Sequence, residues 1–139
     1  MGALGEMETL GAADEAREGA HLRRRYQRRR LAHLALAVEE HVRCQSEYES
    51  WQRIPRLSEG FLETDRAIRA SSLQSVATAR LAARACGRQL RAEGVEPSRL
   101  VTLVKQVVER ALNQTKIEYP SVLRMRILAW AIEGYNAGD

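Results

Sequence analysis

Pro55, Pro97 and Pro120 are the only prolines in 139 residues, and they largely decide what this chain can become. Proline cannot donate to a helix and disfavours a helical residue before it, so Pro55 ends any helix that reaches it. Pro97 and Pro120 stand 23 residues apart, each followed by serine. Both suit the first position of a helix, where a missing N–H has no partner to lose. Gly94 lies just ahead of Pro97 and suits the residue after a helix end. These marks cut the chain into four segments, at about 21–52, 60–93, 96–113 and 119–135.

Each segment carries helical periodicity. In the first, Leu31, Leu34, Val38, His41, Val42 and Tyr48 recur at three- and four-residue spacing on one face. Glu39 and Arg43 are four apart and able to pair on the outer face. The second has Phe61, Ile68, Val76, Ala79, Ala83, Cys86 and Leu90. Its middle is small-sided, so a neighbouring helix can come close. The third and fourth are apolar over much of their girth, as in Val104, Val107 and Val108, or Met125, Leu128 and Ile132. Such helices lie in a core or an oligomer interface. With aromatics at 5% and few β-branched runs elsewhere, nothing asks for a sheet.

The expected fold is therefore all-α: a four-helix bundle-like domain with two long helices and a shorter C-terminal helical hairpin. The short pair cannot cover the whole apolar stripe of the long pair, which leaves room for a homo-dimer through the long helices. Residues 21–139 form the single helical domain. Residues 1–20 hold glycines at 2, 5, 11 and 19 and five acids against Arg17, and are expected to be a mobile acidic N-terminal arm.

No basic-then-apolar leader opens the chain, and its longest apolar run, residues 127–132, is far short of a membrane span. Cys44 and Cys86 form no CxxC pair and read as reduced core thiols. The expected location is cytoplasmic.

Charge is the unusual feature. Residues 23–30 read RRRYQRRR, and without these six arginines the chain would hold 16 basic against 18 acidic residues. At about 100° per residue, Arg23, Arg24, Arg25, Arg28, Arg29 and Arg30 ring the helix, leaving no face fit for burial. The octad should overhang the bundle and offer a footprint to a polyanion. The second segment differs: Arg66, Arg69, Arg80, Arg84, Arg88 and Arg91 share one face with no acid between them. Such a face repels itself unless Glu39, Glu40 or Glu47, the acidic arm or an outside partner neutralises it. The 20 arginines to 2 lysines say little, because arginine and alanine share GC-rich codons. Placement carries more weight than number.

Chemistry is poorly represented. Phosphate-binding glycine loops, HExxH and GxSxG are absent. His41 and Cys44 are three apart but supply only two ligands, and His33 lies two turns away, so no metal or cofactor is expected. Histidine-phosphotransfer bundles follow their histidine closely with a lysine and a small residue. His21 is followed by Leu22-Arg23-Arg24-Arg25 and His33 by Leu34-Ala35-Leu36, so neither fits. A nucleic-acid reader would need a docking element, and the link between the last two helices lacks the tight glycine turn of a helix-turn-helix. The sequence thus favours a non-catalytic interaction or regulatory module meeting an acidic protein surface. The alternative is backbone-directed, sequence-nonspecific nucleic-acid binding.

Overall fold

The computed structural model describes residues 2–55 and 60–137, with side chains described at 15, at 17–19 and from 28 onward. The chain is all-α: α1 (Gly2–Gln52), α2 (Phe61–Ala92), α3 (Pro97–Gln114) and α4 (Pro120–Asn136). Among the described residues no helix is long and apolar enough to cross a membrane.

The helix starts at Pro97 and Pro120 follow the proline logic, and α1 stops at Gln52, three residues before Pro55. The start of α1 differs. It begins at Gly2, not near residue 21, and takes in the stretch expected as a separate arm. Alanine, glutamate, leucine, methionine and arginine dominate that stretch, and their helix propensity outweighs its glycines. Being continuous with the octad, the acidic stretch extends away from it along the helix axis at about 1.5 Å per residue. It does not fold back on the octad.

α1 and α2 run antiparallel. At one end Trp51 stacks on Phe61, with ring centroids 4.9 Å apart, and Trp51 Nε1 donates to Asp65 Oδ1 at 2.9 Å. Midway, His41 meets Ser75. Further on, the Arg30 charge acts on the Cys86 thiol. The α2 helix ends in a Schellman turn. Gly94, at φ 77°, donates its N–H to Arg91 O, and Val95 donates to Leu90 O at 3.0 Å. Val95 then packs onto the core cluster that contains Leu90.

The short helices spread over the long ones. α3 lies chiefly on α1 and α4 chiefly on α2, and α3 and α4 touch each other less. The α3–α4 link is tied to the end of α1, where the Glu118 N–H donates to the Glu49 carboxylate and Arg53 pairs with Glu118 at 2.8 Å. Burial of Leu34, Val38 and Val42 from α1, Ala79, Ala83 and Leu90 from α2, Val104 and Val108 from α3, and Leu123 and Ile127 from α4 makes one core.

The tightest point joins α2 to α4. A β-carbon added at Gly87 would lie 2.8 Å from Tyr135 N and closer still to Ala131 O. One added at Gly134 would lie 2.7 Å from Arg84 Cα. The small-sided middle of α2 does admit a close neighbour, and that neighbour is α4.

Candidate cationic interaction surface

The octad splits in two. The side chains of Arg23, Arg24 and Arg25 lie outside the described residues. Arg28 and Arg29 are exposed, and no described acid pairs with either. Arg30 is half-buried, and its charge acts on the Cys86 thiol. The octad therefore does not overhang at its C-terminal end, where its last turn packs along the bundle. The aliphatic stem of an arginine can lie on apolar surface while its head stays wet, so charge all round a helix does not by itself keep it off the bundle.

Arg28 also lines a groove of about 690 Å³ between α1 and α3. Leu31, Ala35, Leu103 and Val107 line its apolar floor, and Arg110 adds a second cation. Glu39 lines it too, half-buried, so it is not the partner expected for Arg43. Arg43 pairs instead with Glu40 and Glu47, the latter at 3.1 Å. The bond from Arg43 holds the Glu40 carboxyl below the ordinary range.

The α2 arginine stripe is largely occupied from within the chain. Arg69 donates to Asp65 Oδ2 at 2.9 Å and lies over the Tyr48 ring, 5.5 Å from its centroid. Arg80 and Arg84 share Glu133 of α4, at 3.7 and 3.5 Å. Arg91 donates to Tyr135 O at 2.9 Å and lies over the Tyr135 ring. Arg66 and Arg88 are exposed and have no ion pair with a described acid. The neutralising groups are thus Asp65 and Glu133, none of those expected from α1. The stripe flanks the close α2–α4 contact, and four of its six arginines act as bundle contacts.

His41, Ser75 and Cys44 form a buried polar knot. The Ser75 hydroxyl donates to Ser72 O at 2.7 Å, so it accepts from His41 Nδ1–H at 3.2 Å. Burial, aided by the Arg126 charge, pushes the His41 pKa down, which leaves a neutral imidazole. Burial and then Glu40 push the Cys44 thiol up. Burial takes Cys86 up to about 11. A neutral Cys44 thiol close to a neutral imidazole, and a neutral Cys86 thiol further along α2, make a satisfied core and no activated nucleophile. Among the described residues, no three of histidine, cysteine, aspartate and glutamate gather where they could hold a metal. The seryl partner went unnoticed in the sequence because Ser75 is 34 residues from His41.

No protein-family model, no curated protein and no solved structure matches the chain.

Proposed function

We propose that the chain is a non-catalytic helical interaction module that receives an acidic surface at the octad end of α1. The observation that carries this reading is the contrast among its arginines. Arg43, Arg53, Arg69, Arg80, Arg84 and Arg124 all have carboxylate partners. Arg28 and Arg29 stand exposed without one among the described acids, as Arg66 and Arg88 of α2 do, but Arg28 and Arg29 adjoin further arginines in the sequence. Together with Arg23, Arg24 and Arg25 in sequence they concentrate positive charge on one stretch of helix. Guanidinium groups left open to water at that density attract carboxylates by bidentate hydrogen bonds and by summed potential. The adjoining groove gives apolar side chains of an acidic partner somewhere to go, which supports a protein surface over a bare polyanion.

The test measures binding of poly-L-glutamate and of single- and double-stranded DNA and RNA at two salt concentrations. A variant with all six octad arginines changed to glutamine runs alongside. The expected result is binding of poly-L-glutamate that the variant loses. Absence of binding to any of these at physiological salt would overturn the reading. Tight binding to every nucleic acid, falling steeply with salt and stronger than that of poly-L-glutamate, would replace it with backbone-directed nucleic-acid binding.

A further inference from the structure

We infer that the acidic surface received by the octad is the N-terminal part of α1 in a second copy of this chain, paired antiparallel. This deepens the acidic-partner reading and rests on it.

The inference starts from where α1 is bare. α2 ends at Ala92, 17 residues past Ser75, which bonds His41 of α1. In an antiparallel pair that end lies level with about residue 24 of α1. The preceding helical stretch continues for about 30 Å with none of the chain's own long helices beside it. It includes Gly2, Gly5, Gly11 and Gly19, each about 1 kcal/mol worse than alanine in a helix interior. A β-carbon at Gly19 would touch nothing. A bare helix of that composition is marginal in water without a packing partner.

The order of charge along one face names the partner. At three- and four-residue steps, the sequence of α1 places Met7, then Asp14 and Glu18, then Arg25 and Arg29, then Leu36 at positions along one face. Among the described members, Glu18 and Arg29 are exposed and Leu36 is 66% exposed, so this face turns away from α2 and α3. The order apolar, acidic, basic, apolar becomes self-complementary when reversed. In two antiparallel copies with a two-fold axis between residues 21 and 22, Asp14 of one helix lies level with Arg29 of the other, and Glu18 with Arg25. Met7 of each copy then lies level with Leu36 of the other. A two-fold interface uses the same patch twice, so every favourable match occurs twice. A parallel pair would instead set acids on acids and arginines on arginines. Each bundle begins near residue 24 of its own α1, so the two bundles lie on opposite sides of the axis and do not overlap along it.

The experiment determines the mass of the full chain by sedimentation at low and high salt. A dimer at low salt that dissociates as salt rises is expected. Two variants follow, each checked for helicity: Asp14→Arg with Glu15→Arg and Glu18→Arg, and Arg25→Glu with Arg29→Glu. Each should be monomeric alone, and an equimolar mixture should restore the dimer. For direction, a bis-maleimide should join Met7→Cys chains to Leu36→Cys chains but should not join Leu36→Cys chains to one another. Those latter positions would stand about 44 Å apart. Self-linking at Leu36→Cys, or a mixture that fails to dimerise, would overturn the inference. A wild-type monomer that still binds poly-L-glutamate would overturn self-pairing and leave the acidic-partner reading standing. A monomer that binds none would end both.

Discussion

Gly87 and Gly134 each face the backbone of the other's helix, and neither position has room for a β-carbon. Helix backbones this close cannot move aside locally, because the obstructing atoms are main-chain atoms of Ala131, Tyr135 and Arg84. Alanine at either site must push the axes of α2 and α4 apart. In an open helix position the same change is favourable by about 1 kcal/mol. Gly87→Ala and Gly134→Ala should each destabilise by about 3 kcal/mol, as overpacking of a closed contact does. Gly19→Ala, where nothing lies nearby, should not destabilise. Urea unfolding of the three variants checks this, and an unperturbed Gly87→Ala would refute the close contact.

Glu133 sits between Arg80 and Arg84 at 3.7 and 3.5 Å and partly neutralises the α2 stripe. All three side chains remain open to water, so the pairs add less than about 1 kcal/mol to stability. Glu133→Gln should leave the unfolding midpoint nearly unchanged and should free two guanidiniums. Affinity for poly-L-glutamate should then rise, with a steeper salt dependence. Loss of stability without any gain in binding would show that Glu133 mainly fastens α4 to α2.

The two thiols should be inert while the chain is folded. Cys44 and Cys86 are 4% and 1% exposed, and both thiols are pushed above their ordinary pKa, Cys86 to about 11. Since the thiolate is the reactive form, a disulfide reagent at neutral pH should label them only as fast as the chain opens. Labelling rates should climb with denaturant in step with unfolding. Fast labelling under native conditions would contradict the burial of these groups.

The helix pattern and the α2 core positions Ala79, Ala83, Cys86 and Leu90 could be read in the sequence because burial imposes a period. What the charges do could not. The stripe on α2 looked unpaired because a wheel shows one helix, and Glu133 reaches it from another helix 49 residues beyond Arg84. Asp65 was nearer to hand, one turn from Arg69, and a wider view of the same wheel would have included it. Gly87 also left a signal, since a glycine inside a strong helical pattern commonly marks close backbone approach. The start of α1 at Gly2 was hidden by treating glycine and sparse apolar residues as arm signals while discounting the helix formers between them.

His41 links stability to pH. It is 1% exposed, its Nδ1–H is held by Ser75, and burial and the Arg126 charge favour the neutral ring. Its folded-state pKa therefore lies below the ordinary value of about 6.5 that it regains on unfolding. Above that value both states hold a neutral ring and the linkage vanishes. As pH falls below it, the unfolded chain takes up a proton that the folded chain refuses, so stability drops until the folded pKa is reached. Each tenfold difference in proton affinity between the two states is worth about 1.4 kcal/mol. The unfolding midpoint should thus fall between pH 7.5 and pH 5. His41→Gln should be less stable at pH 7.5, where it loses the Ser75 bond geometry, but should show a flatter pH dependence over that window. Parallel pH profiles for wild type and variant would mean that His41 is not the group being titrated.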